Sequence, residues 1–189
     1  MNPPAPQRWE RLARRSLAVT RILELTLTGF RHPVRRTERE FVVIEAPDWV
    51  NVVALTPDHQ LVLVNQFRYG SNEFSLEVPG GVVERGEDPV VAGVRELEEE
   101  TGFVGGPPVR LGTVRPNPAM QNNHCHLVLV PDARPTAALE WDPDEEFEIL
   151  TLPVEEAYAR AYRGEITHAM ALDALLLFRP HWERIRSQA

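Results

Sequence analysis

Three glutamates, Glu96, Glu99 and Glu100, stand within five consecutive positions of a stretch with helical periodicity. Stepping about 100° per residue from Glu96 puts Glu99 near 300° and Glu100 near 40°, while Val90, Val94 and Leu97 fall roughly between 100° and 160°. The acids therefore share one face and the apolar residues another. Gly93, at about 60° on the same wheel, is expected to sit beside the acids and leave room above them. Like charges at helical spacing repel, so something must offset them. A divalent cation does so directly: Mg²⁺ or Mn²⁺ takes hard oxygen ligands, keeps several waters and accepts phosphate oxygens as its remaining ligands. Taken alone, Glu98-Glu99-Glu100 also reads as a solvated acidic face.

The surrounding residues decide between these readings. Gly81, Glu87, Arg95, Glu96, Leu97, Glu99, Glu100, Gly102 and Phe103 satisfy G-x5-E-x7-R-E-U-x-E-E-x-G-U, with U a bulky apolar residue, at all nine specified positions over 23 residues. This segment resembles the signature of the Nudix hydrolases. The resemblance implies a loop-helix-loop that holds divalent metal against a diphosphate. It implies Glu96, Glu99 and Glu100 as metal ligands, with the carbonyl of Gly80, and Glu99 and Glu100 at the catalytic centre. Glu87 and Arg95 would brace the loop against the helix, and with Gly81 and Gly102 they are read as structural. A diphosphate repels nucleophiles, and cations neutralise it and ease deprotonation of water. No G-x-S-x-G elbow and no P-loop occurs, and the absence of any lysine excludes Schiff-base chemistry.

Flanking residues narrow the class. Gln66-Phe67-Arg68-Tyr69 and Leu76-Glu77-Val78-Pro79-Gly80-Gly81 are similar to the corresponding stretches of ADP-ribose and nucleoside diphosphate sugar pyrophosphatases. Arg68 suits a phosphate clamp through its forked donors, and Glu77 is read with it as substrate-binding. In that branch a loop preceding a late strand carries the catalytic glutamate, which here implies Glu145 or Glu146. The polar run Arg115 to His126 has the amides to read sugar or base hydroxyls, with Asn117 and Gln121 as the binding residues. The proline-glycine-phenylalanine usual in ADP-ribose enzymes is replaced by Asn117-Pro118-Ala119, which favours a nucleoside diphosphate sugar. His124 and His126 lack enough neighbours for zinc, Cys125 reads as a small buried hydrophobe, and His168 reads as a helix-start residue.

The elements that must position these groups follow from periodicity and punctuation. Trp9 to Val19 suggests a short helix. Arg21 to Phe30, Glu40 to Ala46, Val50 to Leu55, Gln60 to Val64, Phe74 to Val78, Val109 to Val114, Cys125 to Val130 and Glu146 to Leu152 suggest strands. Asp88 to Thr101 is a helix with Asp88 as N-cap, Pro89 in its first turn and Gly102 as its stop. Val154 to Arg163 and Thr167 to Phe178 are two more, the last capped by Thr167. Strands in the majority with interspersed helices give an α/β domain with helices on a mixed sheet. The resemblance sharpens this to a Nudix-type α/β/α sandwich with an N-terminal β arm. The expected division is an arm over residues 1–45 and a hydrolase domain over 46–189.

Composition agrees. The 189 residues, 43% of them hydrophobic, suit a globular protein of about one domain. All 20 basic residues are arginine against 28 acids, for a net charge of −8, with residues 1–39 at +6 and the rest at −14. A polyanion such as nucleic acid would be repelled. The lone cysteine and the lack of a long apolar run predict a cytoplasmic protein that does not span a membrane. The resemblance also implies a homodimer whose basic arm helps build the nucleotide site. The expected activity is metal-dependent hydrolysis of a nucleoside diphosphate sugar or ADP-ribose to a nucleoside monophosphate and a sugar phosphate. Two alternatives are a non-catalytic nucleotide-sensing module and a hydrolase of nucleoside triphosphates or dinucleoside polyphosphates.

Overall fold

A computed structural model describes residues 5–141 and 146–188. The chain divides into two units, residues up to 47 with 117–123, and residues 48–116 with 124 onward.

In the first unit β1 (Glu10–Val19), β2 (Glu24–Arg31) and β3 (Glu38–Glu45) form an antiparallel meander in that order. The expected helix at Trp9 to Val19 is thus a strand. Its Arg, Leu and Ala residues suit a helix, but a short, uncapped helix is marginal on its own, and pairing with β2 along its length outweighs it. Thr20 closes the hairpin, its hydroxyl accepting from the amides of Ile22 (3.3 Å) and Leu23 (3.0 Å). Thr26 and Thr28 are fully buried on β2 with their hydroxyls 3.3 Å apart, and Thr26 Oγ1 donates to the Val43 carbonyl at 3.1 Å.

The second unit contains β4 (Trp49–Leu55), β5 (Gln60–Arg68), β6 (Glu73–Glu77), β7 (Gly80–Val82), α1 (Pro89–Thr101), β8 (Phe103–Val104), β9 (Val109–Val114), β10 (Cys125–Val130), β11 (Arg134–Pro135), β12 (Glu148–Pro153), α2 (Val154–Tyr162) and α3 (Ala169–Arg186). The sheet runs β12-β5-β4-β10-β9, with β6 on β5 and β7 on β4, and β8 pairs separately with β11. β4 and β10 are parallel while their other pairings are antiparallel, so the sheet is mixed.

Alternation along the central strands builds two cores. Val50, Val52 and Ala54 of β4 pack with Ala92 and Leu97 of α1, whereas Val53 and Leu55 pack with Ala157 of α2 and Leu175 and Phe178 of α3. The result is the α/β/α sandwich, buried on both faces. Gly93 plays a different part from the one expected. A Cβ there would lie 3.0 Å from Val50 Cγ2 and 3.2 Å from Val52 Cγ2, so this glycine lets α1 rest closely on β4 rather than clearing space above the acids.

α1 begins as read: Asp88 accepts from the Val90 amide at 2.8 Å, and Gly102, at φ 68°, donates to the Glu98 carbonyl at 2.8 Å. α3 differs from the reading, beginning at Ala169 without a side-chain cap and continuing through Pro180 to Arg186. Proline forfeits one helical hydrogen bond. Side chains beyond it hold the helix to α2, since Trp182 Nε1 donates to Glu155 at 2.8 Å and Arg186 pairs with the same carboxylate at 3.1 Å.

Candidate functional site

β7 hydrogen-bonds to β4 through Gly80 and Gly81, which brings these glycines beside α1. Both positions are crowded. A Cβ on Gly80 would collide with the Val50 carbonyl, and one on Gly81 would collide with the Glu96 carboxylate. The carboxylate of Glu100, a residue only 5% exposed, accepts from the Gly80 amide at 2.9 Å. Two of the three helix acids therefore rest on the glycine loop.

Arg95 gathers the others. Its Nε and Nη2 donate to the two oxygens of Glu87 at 3.0 and 3.1 Å, its Nη1 to Glu96 at 3.0 Å and Glu99 at 2.8 Å, and its Nη2 to the Val82 carbonyl at 3.2 Å. The Arg95–Glu87 bond joins the loop to the helix. The sequence reading identified that bond but not the grip on Glu96 and Glu99, which the four-residue spacing of Arg95 and Glu99 could have signalled. The crowded acids are thus partly balanced within the protein. Glu87 is held below the usual carboxylate range by Arg95, and Arg95 is raised in turn.

Could this arrangement hold a divalent cation? Among the described residues no three His, Cys, Asp or Glu side chains converge as a ready-made cage. The donor chemistry nevertheless fits. Glu96, Glu99 and Glu100 are hard oxygen donors on successive turns, two of them against the glycine loop, in which Gly80 leaves no room for a side chain beside the Val50 backbone. Arg95 lies on the same carboxylates as the cation would.

Next to the loop is a cavity of about 650 Å³ lined by Arg68, Ser75, Glu77, Gly80, Gly81 and His168, among others. Glu77 at the end of β6 is 1% exposed. Arg68, two-fifths exposed, forks onto it, Nε to Oε1 at 2.8 Å and Nη2 to Oε2 at 2.7 Å. Burial pushes the Glu77 carboxyl up, and the Arg68 fork with nearby His168 more than reverses this, holding it at about 2.

Asn117 and Gln121 belong to the first unit, where the Asn117 carbonyl accepts from the amides of Met120 (3.0 Å) and Gln121 (2.7 Å). Gln121 bridges to Ile44 and lines a cavity of about 890 Å³ with Trp9, Phe30 and Phe41. Glu146 is exposed just before β12, and Glu145, with Asp142 and Asp144, lies outside the described residues. Cys125 is fully buried, with its thiol pushed up to about 12 by burial, so it is inert as a nucleophile. Trp141 was not singled out by sequence, yet its Nε1 donates to the Glu100 carbonyl at 2.8 Å and its ring meets Phe147 edge-on at 5.6 Å.

Comparison with known proteins bears on this geometry. A NUDIX domain model matches residues 46–174. The chain is 30% identical over 138 residues to the methanol dehydrogenase activator of Bacillus methanolicus, spanning 72% of this chain and 74% of that protein. It is 28% identical over 134 residues to the ADP-ribose pyrophosphatase of Bacillus subtilis (strain 168), spanning 70% and 72%. A crystal structure of an ADP compounds hydrolase shares its fold with a TM-score of 0.84 over 99% of this chain and 100% of that one, at 21% identity.

Proposed function

Since this chain belongs to the Nudix hydrolases and is a pyrophosphohydrolase, we propose that it cuts ADP-ribose or a nucleoside diphosphate sugar in a Mg²⁺- or Mn²⁺-dependent reaction. The products are a nucleoside monophosphate and a sugar phosphate. The observation that carries this reading is the motif folded with Glu96 against Gly81 and Glu100 hydrogen-bonded to Gly80, beside a cavity that holds Arg68.

Glu96, Glu99, Glu100 and the Gly80 carbonyl would hold the cation. When bound, it neutralises the diphosphate and makes a water molecule easier to deprotonate. Arg68 turns guanidinium N–H donors toward a phosphate and fixes it for in-line attack. Glu146, or Glu145 from outside the described residues, accepts the water proton. The water oxygen joins one phosphorus as the bridging P–O bond breaks, and the other phosphate departs as a stable anion. Glu87 and Arg95 keep the loop seated on α1.

The working form in this reading is a cytoplasmic homodimer. Support for the dimer is the first unit, whose meander leaves Val19, Ile22 and Val34 largely exposed. The test is incubation with Mg²⁺ and a panel of ADP-ribose, nucleoside diphosphate sugars, nucleoside triphosphates and dinucleoside polyphosphates, with products followed by ³¹P NMR in ¹⁸O-water. Nucleoside monophosphate and sugar phosphate, one of them carrying ¹⁸O, are expected. Binding without turnover, or turnover of triphosphates alone, refutes the proposal.

A further inference from the structure

Arg68 ends β5, Glu77 ends β6 and His168 precedes α3, yet the three side chains meet at one edge of the 650 Å³ cavity. Glu77 is 1% exposed and both its oxygens face Arg68. His168 Nδ1 lies 3.0 Å from Glu77 Oε2, within ion-pair distance, although not aligned as a hydrogen bond. The His168 side chain does not cap its own helix and lines the cavity.

We propose that His168 is a positioning residue of the phosphate site, setting the Arg68 guanidinium through the buried carboxylate of Glu77. On this assignment Glu77 holds Arg68 and does not itself meet substrate. The inference rests on the reading of Arg68 as a phosphate clamp.

The geometry supports each step. Arginine has five N–H donors in a rigid plane. Nε and one Nη2 hydrogen are spent on Glu77, which leaves the Nη1 and Nη2 end of the fork for a second, bidentate partner. Which way that end points depends on the carboxylate plane, because the side-on fork locks guanidinium and carboxylate together. A buried carboxylate with a free flank can rotate and carry the guanidinium with it. His168 occupies that flank at Oε2. It is itself anchored, for α3 buries Ala171, Ala174, Leu175 and Phe178 in the core behind it. A displacement of about 1 Å at a substrate clamp is enough to weaken it severely.

The test uses the full chain. Arg68 Nε–H is assigned in ¹⁵N–¹H spectra by its loss in Arg68→Ala, and its shift and solvent exchange are recorded in the wild type, His168→Ala and His168→Asn. The asparagine amide can replace Nδ1. The resonance is expected to be slowly exchanging in the wild type, to shift and exchange faster in His168→Ala, and to return in His168→Asn. An unchanged resonance in His168→Ala overturns the proposal whether or not any substrate is turned over. With ADP-ribose and Mg²⁺, His168→Ala should raise KM by about tenfold while kcat stays within about twofold, as for loss of support to one charged hydrogen bond. In an Arg68→Ala background the same substitution should change KM by less than about twofold, since its effect passes through Arg68. A full tenfold effect in that background overturns the positioning role. Wild-type protein that turns over none of the diphosphates refutes the functional reading instead, and the NMR result still decides the role of His168.

Discussion

Glu99 and Glu100 are neighbours in the chain but not in environment, and that separates the outcomes of changing them. Glu99 is two-fifths exposed and bound to Arg95, whereas Glu100 is buried and holds the Gly80 amide. Glu99→Gln and Glu100→Gln should each lower kcat by about a hundredfold or more in Mg²⁺-supported assays, as expected when a metal-site carboxylate is lost. Glu100→Ala should in addition cost roughly 1–3 kcal/mol of stability by stranding the part-buried Gly80 N–H, while Glu99→Ala should cost little, both read from urea unfolding. Glu77 makes a pH prediction. Its folded carboxyl lies near 2, below the unfolded value of 4.5, so its contribution is complete above that unfolded value and is lost as pH falls through about 2. At most it amounts to about 3 kcal/mol. Acid unfolding of Glu77→Gln should therefore show a shallower pH dependence between these values, and an unchanged profile would contradict the assignment. At this scale the motif made Glu87, Arg95 and the three helix acids legible. His168 and Trp141 were not, because their partners Glu77 and Glu100 are far away in sequence and no local spacing connects them.

Elements are legible in the sequence where local chemistry is decisive. Asp88, Pro89 and Gly102 set the limits of α1, since cap and stop are properties of a few adjacent residues. They are not legible where a distant partner is decisive. β1 has helix-compatible residues but pairs with β2, and α3 passes Pro180 because Trp182 and Arg186 are tied to Glu155. The glycine loop tests how firmly β7 seats against β4. Gly80→Ala would press a methyl group onto the Val50 carbonyl, a backbone atom that cannot turn aside. It should destabilise the protein by about 1–3 kcal/mol and reduce turnover. Gly93→Ala meets methyl groups of Val50, Val52 and Val128, and alanine gains about 1 kcal/mol of helix propensity, so its net loss should be smaller. Thermal unfolding of the two variants would rank them, and the reverse order would show that the loop yields more readily than the core.

For the molecule as a whole, the exposed apolar residues of the first unit bear on assembly. Val19 is 74% exposed and Ile22 63%. Light scattering after size exclusion should give about twice the 21.4 kDa of one chain. Val19→Asp with Ile22→Asp should lower that mass toward one chain if this surface is the dimer contact, and an unaltered dimer would place the contact elsewhere. Residue order alone determined the chemistry: carboxylates spaced to share a helix face, a basic partner among them and glycines where backbone must come close. Those requirements act over a few turns, so they are written in neighbouring letters. Tertiary structure decided what depends on distant segments. It brought Arg68, Glu77 and His168 to one cavity wall and turned Gly93 toward Val50 and Val52. It also made β1 a strand, because close packing and strand pairing are settled by residues that meet only once the chain has folded.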